Sequence, residues 1–349
     1  MKTKKKILTV VAGLFGTISM LAQTALVATL SHGNDVLTFY GTNAFIEAYN
    51  AAEEGDCITL SSGEFEGCMI EKALTIRGAG MDNDVETQTA ATQLNLNKNS
   101  KSITITPEAK KRLSFENIYI YSGTTENHFG HLRINGTSTG IEFNKCRVEG
   151  FEILGGIIWF THCKLKAPFE TIQNTDEDAY FFRNSIIIQS YIGYGYSSGV
   201  SGCHYTNCVV ALLYNSTTND RYPELRNCIF INPISIPANT YHCVALSDVG
   251  TSKTYEGLFG DLKNSTNKVA STAEVFKAYT SGTSPSLDQD QYVLTDEAKT
   301  KFLGDDGTQV GIYGGSTPFT TVPSNPRIMN FSVLTNDEDG TLKVKLHVK

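Results

Sequence analysis

The feature that most constrains this chain is an internal repeat between residues 113 and 230. Six segments align without gaps: Leu113–Ile120, Ile141–Val148, Ile158–Leu165, Tyr180–Ile187, Cys203–Val210 and Pro223–Phe230. Three columns keep register through all of them. One reads Phe115, Phe143, Phe160, Phe182, Tyr205, Leu225. Two residues on, the next reads Asn117, Lys145, His162, Asn184, Asn207, Asn227. The third, one residue further, reads Ile118, Cys146, Cys163, Ser185, Cys208, Cys228. The copies are spaced by 28, 17, 22, 23 and 20 residues. Triplets such as Ile58-Thr59-Leu60, Leu74-Thr75-Ile76 and Ile103-Thr104-Ile105 extend the pattern towards the N-terminus. Their period of two is a strand signal, and no segment between residues 56 and 250 carries a helical period.

A repeat of this length made only of short strands predicts an all-β solenoid. Each pass of the chain then lays its strands about 4.8 Å from those of the pass before, so inward columns stack like on like. The aromatic column and the Ile/Cys/Ser column are predicted to face inward. The Asn column is predicted to occupy a bend, because Asn tolerates left-handed backbone and hydrogen-bonds neighbouring peptide groups. Cys146, Cys163, Cys208 and Cys228 leave two readings open. One is a buried thiol stack, which suits a small apolar residue. The other is disulfides between neighbouring passes, which lie within bonding reach. A zinc site is not expected, since one inward column cannot set four ligands tetrahedrally.

This pattern resembles the right-handed parallel β-helix, or pectin-lyase-like, fold of exported bacterial proteins, over roughly residues 26–260. The entry segment Gly41–Leu60 supports the resemblance. It reads as a short helix, then Gly55-Asp56, then a strand, with Phe45, Ala48, Tyr49 and Ala52 on one helical face. Such a helix would cover the otherwise unpaired end of the stack. Gly307–Gly315 is similar to the closing segment of these proteins, and its glycines read as tight turns. The resemblance thus implies a right-handed parallel β-helix with a short N-terminal capping helix. The residues after it predict a C-terminal β-hairpin, from Ile328–Val333 and Leu342–Val348 around Asn336–Gly340. The expected organisation is a signal peptide over 1–22, the β-helix with its caps over 23–318, and a linker with the hairpin over 319–349.

The address is read from the start of the chain. Lys2, Lys4, Lys5 and Lys6 precede an uncharged run from Ile7 to Ile18, and then small residues up to Ala22. That layout predicts a secretory signal cleaved after Ala22, and its apolar run is too short to span a bilayer. An exported protein of the periplasm, cell surface or extracellular space is expected, with no membrane span. The balance of 29 Lys+Arg against 36 Asp+Glu argues against a general nucleic-acid binder, which needs a basic face. With 40% hydrophobic and 19% charged residues the chain is too apolar to be disordered.

Chemistry is sparser. Arg221-Tyr-Pro-Glu-Leu-Arg226 resembles the Arg-x-Pro-x-x-Arg motif of pectate lyases. The resemblance implies Arg221 and Arg226 as the candidate catalytic residues, with an Arg, Arg221 in the lyase reading, taking the proton beside the uronate carboxylate. Calcium would be the cofactor, held by nearby carboxylates of which Asp176, Asp178 and Asp220 are candidates. The companion Trp-x-Asp-His motif of those enzymes is absent. Asn174-Thr175-Asp176 is similar to one acidic motif of polygalacturonases, but the second carboxylate pair that inverting hydrolysis needs is missing. A binding face is better supported. Trp159 and His204 hold the same outward position two copies apart, with Phe181 between them. Tyr191, Tyr194 and Tyr196 lie in a Gly-rich stretch expected to emerge beside that row. The leading expectation is a secreted, non-catalytic protein that contacts polysaccharide. The alternatives are a lyase acting on uronate-containing glycans, and a structural or adhesive module that meets a protein partner through its C-terminal hairpin.

Overall fold

A computed structural model describes residues 26–87, 89–96, 103–105, 112–122, 132–135, 140–166, 179–188, 190–192, 202–211, 213–215, 224–233, 236, 239–250, 259, 266–282, 285–323, 328–334 and 343–348. The structure is predominantly β, with mostly parallel strands in long sheets, an arrangement consistent with a β-solenoid. The first sheet has 11 strands, and nine of them, from Cys57–Leu60 to Thr240–Tyr241, run parallel in chain order. The second has 10 parallel strands, from Gly63–Glu66 to Lys268–Ala270. Each repeat supplies one strand to each. Ile141–Asn144 enters the first sheet, for example, and Arg147–Glu149 the second. A smaller sheet of three strands contains Ile103–Ile105, Leu132–Asn135 and Phe151–Gly155.

Strand register explains the sequence columns. Phe115 pairs with Phe143, Phe143 with Phe160, Phe160 with Phe182 and Phe182 with Tyr205. Their rings stack at centroid distances of 5.0, 4.8, 5.2 and 4.6 Å, with interplanar angles of 11° or less. All five are buried in a core shared by the inward faces of the three sheets.

The bend column takes the left-handed backbone expected of it. Asn117, Lys145, His162, Asn184, Asn207 and Asn227 have φ between 43° and 57°. A seventh copy that the repeat alignment did not include follows the same rule. His242 has φ 52°, and Cys243 stands next to it.

All eight cysteines are free. Those of the column lie just past the bend and use their thiols there. The Cys163 Sγ donates to the carbonyls of Phe143 and Thr161 at 3.3 Å each. Cys146, Cys208, Cys228 and Cys243 repeat that pattern with the carbonyl two residues back and one from the preceding pass. Ser185, in the same column, does so with its hydroxyl. A small side chain that is both space-filling and a weak donor suits this corner. Burial pushes the Cys146 thiol up to about 12 and the Cys163 thiol well above its ordinary value. A thiol count should therefore find Cys57 and Cys68, the half-buried pair, reacting first in the native protein. The six buried thiols should react only in denaturant, and rapid native labelling of all eight would contradict this packing.

The N-terminal end is built by two elements. An α-helix, Ala44–Ala51, buries Ala44, Phe45, Ala48 and Tyr49. Its C-terminal carbonyls are held by Lys72, whose Nζ donates to Tyr49 O and Ala52 O at 2.8 Å each. The second element was not read from the sequence. Val27–His32 and Asp35–Tyr40 form an antiparallel hairpin, and Val27–His32 also pairs antiparallel with Cys57–Leu60. The first sheet therefore ends on Asp35–Tyr40 rather than on the strand that opens the repeat. Near the C-terminus, Ile328–Leu334 pairs antiparallel with Lys343–Val348. No helix among the described residues is long and apolar enough to cross a membrane.

Candidate functional site

Two outward surfaces carry chemistry. The first lies on the long mixed sheet, where Glu142, Trp159, Phe181, His204 and Glu224 occupy one outward row on consecutive strands. The sheet repeat holds these rings face to face. Trp159 and Phe181 stack with centroids 5.8 Å apart, and Phe181 and His204 at 5.0 Å. The Arg112 guanidinium covers the remaining face of Trp159 at 4.3 Å and also reaches Glu142 at 3.3 Å. Gly140 makes room for this indole. Its φ is +84°, and a Cβ there would stand 2.2 Å from the Trp159 ring. At the other end His204 Nδ1 meets Glu224 Oε2 at 3.2 Å. The ring faces are thus occupied by one another, and the ring edges and flanking charges point away from the sheet. Trp159 and Phe181 therefore offer no free ring face for a sugar to stack on. A ligand lying along the row would meet edges, Arg112, Glu142, Arg183 and Glu224.

Arg226, the second arginine of the lyase-like motif, lies in the neighbouring outward row. Its Nε donates to Glu224 Oε1 and its Nη1 to Asp305 Oδ2 at 3.0 Å, while its guanidinium covers Tyr241 at 5.2 Å. Glu224 and Asp305 raise the Arg226 pKa further, and Arg226 in turn holds the Glu224 carboxyl below its usual range. An arginine clamped between two carboxylates serves as a fixed charge and is a poor base. Arg221, Asp176, Asp178, Asp220, Tyr194 and Tyr196 lie outside the described residues. Tyr191 is described only as part of the strand Ser190–Ile192, which pairs with Leu213–Asn215. The lyase centre, its calcium ligands and the tyrosine loop therefore remain sequence expectations. Among the described residues no group of three or more His, Cys, Asp or Glu is arranged to hold a metal ion.

The second surface was missed in the sequence. It is a cleft of about 460 Å³ on the outward side of the all-parallel sheet. Arg147 and Lys164 form its floor on adjacent strands, with Lys166 beside them. Asp82 and residues 285–289 form its walls. The signal that could have located it is a change in strand pattern. Tyr119-Ile-Tyr121, Arg147-Val-Glu149 and Lys164-Leu-Lys166 alternate. Ile186-Ile-Ile188, Val209-Val-Ala211, Ile229-Phe-Ile231 and Val244-Ala-Leu246 do not. Continuous apolar strands are covered on both faces. Here the cover is a second hydrophobic cluster to which Val275, Phe276, Tyr292, Phe302, Ile312 and Phe319 contribute. The cleft opens where that cover stops.

Beyond the cover, the C-terminal segment runs back along the row of bends. His242 faces Leu303 O, Asn227 Nδ2 donates to Asp305 Oδ1, and Asn184 Nδ2 donates to Ile312 O and Gly314 O. His162 Nε2 donates to Thr317 O and Lys145 Nζ to Val322 O, both at 2.9 Å. These contacts reach into the stretch read from sequence as a linker. Glycine is required where strap and bend touch: a Cβ on Gly315 would lie 2.4 Å from Asn207 Nδ2. Comparison of the chain with protein-family models, with curated proteins and with solved structures gives no match.

Proposed function

We propose that this chain is an exported, right-handed and closed parallel β-helix protein that contacts polysaccharide at the cell surface or in the periplasm without cleaving it. The observation that carries the reading is the outward row Glu142–Trp159–Phe181–His204–Glu224 with its flanking arginines. It offers ring edges and charge-assisted hydrogen-bonding groups at one step per strand, about 4.8 Å, on a rigid sheet. An extended sugar polymer has donors and acceptors along its whole length, and a straight, repeating ledge meets it without ordering a loop. The pairing of Arg226 with two carboxylates makes that residue a fixed charge on the edge of the row.

The test is a panel of neutral and acidic polysaccharides, scored for retention of the protein and for new unsaturated ends absorbing in the ultraviolet. Retention without new ends is the expected result. Trp159→Ala should weaken it by about 1–3 kcal/mol, because the indole anchors both Arg112 and the Phe181 stack. Cleavage that disappears in Arg221→Ala would replace this reading with the lyase. No retention and no cleavage would favour an adhesive module.

A further inference from the structure

The cleft on the second sheet is a built site. Lys164 is only 4% exposed, yet it carries its charge on the cleft floor. Its Nζ donates to Asp82 Oδ2 at 2.7 Å and to Gln289 Oε1 at 2.6 Å, one partner from each wall. An ammonium has three N–H groups, and the third has no acceptor among the described residues. Next to it Arg147 Nε donates to Glu149 Oε1 at 2.7 Å, and its guanidinium lies on Tyr119 at 4.4 Å. Its Nη1 stands 3.9 Å from Asp82 Oδ1, beyond hydrogen-bond length. Lys166 is exposed and makes no ion pair among the described residues.

The chemistry of this lining selects a class of ligand. Arg147, Lys164 and Lys166 are balanced by Asp82, Glu149 and Asp288. A charge-balanced cleft exerts no long-range pull on a polyanion. Its paired groups still keep spare lone pairs and N–H donors within a small space. Hydroxyls, which both donate and accept, satisfy such a mixture without carrying a charge of their own. Ile188, Pro285 and Leu287 add an apolar side for C–H groups. The volume falls in the ~300–1,000 Å³ range of small-ligand sites. We infer that this cleft binds a neutral, hydroxyl-rich sugar unit, at a site separate from the outward row of the first sheet.

The full-length chain is titrated calorimetrically with maltotetraose, cellotetraose, mannotetraose and xylotetraose, and with trigalacturonate as the acidic comparator. At least one neutral probe should bind, and trigalacturonate should bind it no more tightly. Lys166→Ala, an exposed position whose loss leaves the fold in place, should weaken the neutral probe about tenfold, the effect of one lost charge-assisted hydrogen bond. A second readout needs no variant. Acetylation of Lys166, followed by mass spectrometry, should slow when the neutral probe is present. The inference is overturned if no neutral probe binds, if trigalacturonate binds most tightly, or if binding neither responds to Lys166→Ala nor protects Lys166. Row-dependent retention is scored separately with Trp159→Ala, so either surface can fail without the other.

Discussion

Replacing Phe160 by alanine should cost about 3–5 kcal/mol of folding stability, the range for removing a fully buried aromatic from a packed core. Phe160 is central to the inward aromatic column. It stacks on Phe143 at 4.8 Å and on Phe182 at 5.2 Å, and a third ring, Phe151 from the small sheet, meets it at 5.7 Å. Its loss removes the buried area of one ring and the stacking of two pairs, each worth about 0.5–1.5 kcal/mol beyond area. The cavity cannot collapse easily, because strand spacing holds the neighbouring rings at their own levels. Equilibrium unfolding in urea measures the change. Phe160→Leu should recover much of it, and an Ala variant less than about 1 kcal/mol below wild type would show that the column carries little of the stability.

Asn184→Leu should lower stability by about 3 kcal/mol or more, for two separable reasons. The backbone there has φ 43°, and a branched apolar residue held in that region costs about 1–2 kcal/mol. The side chain, 5% exposed, also donates to Ile312 O at 3.0 Å and Gly314 O at 2.8 Å. Removing this donor leaves the Gly314 carbonyl unpaired, at about 1–3 kcal/mol, while the Ile312 carbonyl keeps the Phe319 N–H at 2.8 Å. Asn184→Gly separates the two terms, because glycine accepts the backbone and cannot make the bonds. Limited proteolysis near Ile312 should therefore accelerate in both variants, while the larger drop in urea stability belongs to Leu alone. Equal stability of the two variants would remove the strain term, and unchanged proteolysis would remove the role of Asn184 in holding the strap.

Much of the β-stack was legible because a parallel strand array translates sequence periodicity directly into space. Phe143 lies on Phe160 because both occupy the same place in their repeats, and nothing else has to be known. The bend position was legible for the same reason, as was the outward row from Trp159 to His204. The edge hairpin Val27–Tyr40 was less so, since it has no copy elsewhere in the chain. The seventh bend at His242 escaped because its copy is short and begins with Thr240 instead of an aromatic residue.

What the residues determined by themselves was the spacing, the inward columns and the left-handed bend, all consequences of local backbone preference and of like stacking on like. What only the tertiary structure decided was the course of residues 272–282 and 285–322. That segment carries no period. It is placed by hydrogen bonds from Lys145, His162, Asn184 and Asn227, and by apolar cover over Ile186, Val209, Ile229 and Val244. Each contact joins residues more than 70 positions apart or closes a surface that either partner alone leaves open. The ring faces of the outward row and the cleft at Lys164 follow from the same cause. Which side of a strand is free depends on what folds over it, and that is a property of the assembled chain.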